Sequence, residues 1–204
     1  MLKKLCFFIA GSLLFTISAF AQSNDVAVTF GVAFSPSVTG LSGCDVLPFP
    51  CPTVPVSDSV ESGFSFVGAY SHRLVNLKAT SLHLELPVML APSRKADTAR
   101  FNPDFSSFYF TPSLKLKLLP DSGISPFVSA GGGVAHFKES SVSDNRGAFQ
   151  VGGGLDFKTR LPLLGFRLEV RDFITGLPGT PSFTGVTSDH LHSIFAGGGI
   201  TLHF

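Results

Sequence analysis

Leu164-Gly-Phe-Arg-Leu-Glu-Val-Arg-Asp-Phe-Ile174 decides how this chain is read. Phe166, Leu168 and Val170 alternate with Arg167, Glu169 and Arg171, so an extended segment has one apolar face and one ionic face. Strands put successive side chains on opposite faces; a helix would mix the two sets around its circumference. Two environments suit such a segment. Either the ions face water and the apolar row faces a core, or the apolar row faces lipid and the ions pair with one another in a narrow lumen.

The same period runs through the rest of the sequence. In Asp25–Phe34, Val26, Val28, Phe30, Val32 and Phe34 share one face. Gly63–Arg73, Ser81–Ala91, Phe108–Leu118, Ala148–Lys158 and Leu191–Phe204 alternate in the same way. Ser125–Phe137 also reads as a strand, but the central Ala130-Gly-Gly-Gly-Val134 leaves its facing ambiguous. These eight segments predict an all-β, eight-stranded, antiparallel up-and-down transmembrane β-barrel. Long polar or Pro-rich connections are expected at about 35–62, 92–107, 138–147 and 175–190, and short ones at about 74–80, 119–124 and 159–163. Outer-membrane barrels combine short periplasmic turns with longer external loops. Three related triplets, Gly131–Gly133, Gly152–Gly154 and Gly197–Gly199, form a weak repeat. No helix pattern with a Lys and Ser/Thr follows them, as a phosphate loop requires, so they read as strand glycines that let a small barrel curve around long luminal side chains.

Composition favours lipid over a water-facing surface. The 204 residues carry 15 Lys+Arg and 14 Asp+Glu, 14% charged, against roughly 25% in average proteins. The near-zero balance gives no basic excess for nucleic acid. There are 22 Phe, two Tyr and no Trp. The polar faces mix long ions with Gly, Ala and Ser, as a crowded lumen would. The apolar faces carry almost no ions, and Arg or Lys at the bilayer midplane costs roughly 2–4 kcal/mol. A lipocalin-like soluble barrel is the rival fold, since it alternates with its apolar face inward.

Met1–Ala21 reads as a secretory signal peptide: Lys3 and Lys4 precede an apolar run, and Ala19-Phe20-Ala21 is a cleavage pattern. The predicted organisation is therefore 1–21 signal peptide and 22–204 barrel domain. Its removal takes away Lys3, Lys4 and Cys6 and turns the formal charge slightly negative. Cys44 and Cys51 remain, in a Pro-rich stretch. The oxidising compartment makes a disulfide between them the expected state; a zinc site is weaker, for want of nearby His.

The C-terminus Gly199-Ile-Thr-Leu-His-Phe204 resembles the assembly signal of bacterial outer-membrane barrels, matching it at Gly199, Leu202 and Phe204, with Gly197 a departure where a polar residue is expected. Together with His83–Leu90, Ser125–Gly133 and Gly165–Asp172, it makes the chain similar to the eight-stranded outer membrane protein beta-barrel domain family, the group of outer membrane protein A, X and W types. The resemblance implies location in the outer membrane, contact with its lipid and lipopolysaccharide, handling by the barrel assembly machinery, and a structural, adhesive or small-solute role. A monomer is expected, with no cofactor and no nucleic-acid partner.

The candidate site is a luminal ion network of Glu85, Lys115, Lys117, Asp156, Arg167, Glu169 and Arg171. An eight-stranded interior is only wide enough for side chains to fill it, so a packed network is favoured over a narrow small-solute or ion channel. A lipid A-modifying enzyme is a further alternative. His192-Ser193 resembles the His and Ser of outer-membrane lipid A deacylases, but their His-x-Ser spacing is absent and Ser193 falls on the face opposite His192. No catalytic residue is assigned. His190 and His192 share a face without a third ligand, so no metal site is assigned either. Phe30, Phe34, Phe64, Phe108, Phe110, Phe166 and Phe204 stand in for the usual Trp/Tyr girdles. Arg94, Lys95 and Arg100 read as loop cations, solvated or against lipopolysaccharide.

Overall fold

The structure, a computed structural model, describes residues 24–36, 38–42, 54–97, 104–161, 163–179 and 190–204. The segment 1–21 and both Cys44 and Cys51 lie outside them, as does Arg100. Eleven strands follow one another: β1 (Asn24–Phe34), β2 (Val38–Ser42), β3 (Val54–Val60), β4 (Gly63–Leu77), β5 (Thr80–Asp97), β6 (Asp104–Phe110), β7 (Ser113–Leu118), β8 (Ile124–Glu139), β9 (Val142–Lys158), β10 (Leu164–Gly176) and β11 (His190–His203). Pro112 has no N–H to give, and the fourth wall strand is divided there into β6 and β7. The wall thus has eight staves, and each pairs antiparallel with its sequence neighbours.

Closure comes from β1 against β11, in register from Asp25↔His203 to Phe34↔Ile194. Asn24 and Phe204 then exchange two backbone hydrogen bonds, both 2.9 Å. A closed ladder leaves no strand edge unpaired in hydrocarbon. Phe30, Phe64, Phe166, Leu168, Val170, Ile200 and Leu202 are exposed on the outer wall, while Arg167, Glu169 and Arg171 are buried inside. That parity is the reverse of a soluble barrel and fits a lipid-facing wall.

Several strands outrun the expected lengths. β5 has 18 residues, β8 has 16 and β9 has 17. The connection expected over 138–147 is instead a continuation of the β8–β9 ladder to Glu139↔Val142. The polar residues there projected a loop, but a hairpin extending past the apolar wall stays paired without an apolar row. Its turn is tight, with Ser140 at φ 51°. The stretch 35–62 likewise contains a hairpin, β2–β3, and β3 joins the upper end of β5 through Ser59↔Asp97 and Val60↔Ala96. The ambiguous strand β8 resolves with Phe127 and Phe137 inward and Val128 and Val134 outward.

Candidate functional site in the lumen

The lumen is divided into two zones. Toward the short turns, the seven predicted residues converge with Asp25 and His203. β10 provides Arg167, Glu169 and Arg171, in register with Asp156, Gly154 and Gly152 of β9 and with Gly199, Gly197 and Phe195 of β11. Two of these glycines leave room for inward side chains, Gly152 for Arg171 and Gly154 for Phe127. A Cβ on Gly152 would lie 2.8 Å from Cγ of Arg171, and one on Gly154 would lie 2.8 Å from the Phe127 ring.

Arg167 grips Asp156 with Nε to Oδ1 at 2.7 Å and Nη2 to Oδ2 at 3.1 Å, and its Nη1 reaches Glu85 Oε1 at 3.3 Å. Arg171 bridges Glu85 Oε2 at 2.9 Å and Glu169 Oε2 at 2.8 Å. The Thr29 hydroxyl donates to the other oxygen of Glu169. Lys117 lies 2.7 Å from Asp156 and 3.4 Å from Asp25. Lys115 is looser, 3.4 Å from Glu85 and 3.8 Å from Asp156, and both it and Arg167 lie over the Phe127 ring, at 4.5 Å and 4.8 Å from the centroid. His203 closes the seam by bonding Asp25 Oδ1 through Nδ1 at 2.7 Å. Asp25, Glu85, Asp156 and Glu169 oppose Lys115, Lys117, Arg167 and Arg171, so the network is charge-balanced. Balance is what burial demands, since an unpaired buried ion costs several kcal/mol.

Asp25, Thr29 and His203 were not assigned to the network, although alternation puts Thr29 with Ala27, Gly31 and Ala33 on the face opposite Val26, Val28 and Phe30. Their shared parity with Ala27 and Thr201 was the available signal.

The half of the lumen toward the long connections is mainly aromatic and apolar. Val67, Met89, Ala91, Phe105, Tyr109, Phe137, Phe173, Leu191 and Phe195 form one buried cluster. Tyr109 is edge-on to Phe137 with centroids 5.7 Å apart and 4.9 Å from Phe173. Phenylalanine therefore fills the lumen as well as coating the wall. Arg94, read as a loop cation, lies inside this zone: β5 continues past a bulge after Ala91, and Arg94 is buried, donating to Ser107 at 2.7 Å and Ser35 at 3.4 Å.

Ser193 points inward and accepts from the Tyr109 hydroxyl at 2.8 Å. His192 points outward, and its Nδ1 meets Asp172 at 2.8 Å. The barrel wall thus separates the two, and no nucleophile–base pair forms between them. Among the described residues no three His, Cys, Asp or Glu side chains gather to hold a metal. Of the matched terminal residues, Leu202 is exposed on the outer wall, Phe204 pairs with Asn24, and Gly199 sits against Thr29, where a Cβ would lie 2.6 Å from the Thr29 Cα.

No family model matches the chain, and no curated protein matches it. Solved structures do. Neisserial surface protein A aligns with TM-score 0.55 at 12% identity, covering 90% of this chain and 99% of that one. The outer membrane protease OmpT from Escherichia coli aligns at 0.46 and 7%, covering 89% and 96%. Ail, the attachment invasion locus protein of Yersinia pestis, aligns at 0.40 and 13%, covering 88% and 99%. At 12% identity the likeness to Neisserial surface protein A concerns the fold, an eight-stranded antiparallel β-barrel of the outer-membrane type.

Proposed function

We propose that this chain is exported by Met1–Ala21, sits in the bacterial outer membrane, and acts as a closed barrel whose external loops form a structural or binding surface. The observation that carries the reading is the zoning of the lumen. A charge-balanced network fills one half and an aromatic-rich cluster fills the other, so among the described residues buried side chains occupy both halves of the lumen. The outward apolar row bounded by Phe30, Phe64 and Phe166 supports a setting in lipid and lipopolysaccharide. Gly199, Leu202 and Phe204 serve recognition by the assembly machinery, and a Cys44–Cys51 disulfide closes the first external loop. The barrel works as a monomer and is not an enzyme.

Outer-membrane fractionation combined with planar-bilayer recording tests this. The expected result is a heat-modifiable band in the outer-membrane fraction and silent bilayers. Recovery from the aqueous periplasm overturns the location, and discrete conductance steps overturn the closed lumen.

A further inference from the structure

At the short-turn mouth, beneath the ion network, lies a cavity of about 140 Å³, close to the roughly 150 Å³ that holds a benzene-sized molecule. We propose that it binds a small oxyanion, a phosphate or carboxylate group, entering from the periplasmic side. The word periplasmic rests on the orientation proposed above; the site itself does not.

Arg73, His83 and Lys115 stand side by side on β4, β5 and β7, and Lys117 faces Ser81 one step nearer the mouth. Three cations therefore surround one imidazole. Arg73, Lys117 and Lys158 line the cavity against Asp25 and Asp121, but Asp25 is already engaged by His203 and Lys117. Among the described residues Arg73 and Lys158 make no ion pair. The mouth thus holds cationic groups in excess of the carboxylates available to them.

The second observation is an unmet hydrogen bond. His83 is 5% exposed and lines the cavity. Its Nε2 meets the Ser81 hydroxyl at 2.9 Å, while its buried Nδ1 has no partner. Nδ1 is unmatched in either tautomer: with Nε2–H donating to Ser81 it is a lone pair without a donor, and with the Ser81 hydroxyl donating to Nε2, the form an anion selects, it is an N–H without an acceptor. An oxyanion supplies that acceptor and neutralises the surplus charge, and bonds from charged donors to it are the strong kind.

The test uses the full barrel refolded in detergent micelles, with the imidazole NMR signals of His83 and His203 followed at constant ionic strength. Inorganic phosphate is titrated in one arm and acetate in the other. A saturable His83 shift is expected, weakened about tenfold in the Arg73→Gln/Lys158→Gln double variant, which removes two charge-assisted contacts. Saturation by phosphate alone assigns the site to phosphate groups, and saturation by both extends it to carboxylates. No saturable shift in either arm, or equal affinity in the double variant, overturns the proposal. Heat-modifiable mobility of each variant reports folding separately. A barrel that fractionates to the outer membrane but binds neither anion loses this inference alone; one that binds but fractionates as soluble loses only the orientation.

Discussion

Arg167 and Asp156 face each other across β10 and β9 and are joined by two parallel hydrogen bonds, 2.7 Å and 3.1 Å, with no exposure of the guanidinium to solvent. This fork is the geometric centre of the luminal network, since Asp156 also receives Lys117 and Arg167 also reaches Glu85.

Removing the arginine leaves two buried carboxylates short of charge. Arg167→Met should lower unfolding stability by about 3–5 kcal/mol, the range for breaking a buried pair. Lys115 has longer contacts, so Lys115→Met should cost clearly less. Urea titration in micelles ranks the two, and equal losses would count against the fork as the centre.

The glycines flanking β10 should be intolerant of side chains where the lumen is full. Gly154→Val drives a side chain into the Phe127 ring and should abolish the heat-modifiable folded band. Gly68 on the outer wall has open space around the position of a Cβ, so Gly68→Ala should fold normally. Similar folding yields for both variants would refute the clearance argument.

The aromatic-rich cluster makes a prediction about permeability. Each large aromatic truncated to Ala costs about 3–5 kcal/mol and leaves a cavity. The Tyr109→Ala/Phe173→Ala double variant should therefore be less stable and should show conductance steps that the parent lacks. A folded double variant that stays silent would mean that the ionic zone alone suffices to block passage.

In the β8–β9 hairpin beyond the apolar wall, Asp144 accepts the Gly179 amide at 2.6 Å and the Arg146 guanidinium at 2.7 Å. The Gly179 N–H, followed by Arg146, holds its carboxyl below the ordinary value. A depressed folded value means the contact contributes fully above the ordinary carboxylate range and is lost as pH falls through the folded value. Hydrogen exchange at the Gly179 amide should be slow near neutral pH and accelerate, relative to intrinsic rates, in strong acid. Asp144→Asn should remove that acid dependence.

The wall separation of His192 from Ser193 predicts no acyl-transfer chemistry between them. A strain expressing the protein should have the lipid A mass spectrum of its parent, and Ser193→Ala should change nothing there. Loss of an acyl chain dependent on Ser193 would reverse the non-enzymatic reading.

Barrel architecture was legible because a membrane wall enforces period two without exception over long runs, as Phe166–Arg171 displays. The same rule located the ions of β10 and their acceptors Glu85 and Asp156. It failed where the rule lapses. The stretch 138–147 is polar on both faces in sequence, so it projected a loop although the backbone remains paired to Glu139↔Val142. Arg94 follows a bulge that shifts register, which no alternation count anticipates. Phe127 and Phe137 flank a glycine run that gives no facing signal, and only packing against Lys115, Arg167 and Tyr109 settles where they point.

The clearance beside β10 bears on what could be transplanted from this protein. Gly152 leaves room for Arg171, Gly154 and Gly197 leave room for the Phe127 and Phe195 rings, and Gly199 lets the backbone of β1 come close, so the ionic strand sits among neighbours that lack side chains at these places. Grafted alone into another small barrel, the strand would carry its charges into a space already filled. The portable unit is the triplet of neighbouring staves, in which two are defined by what they omit.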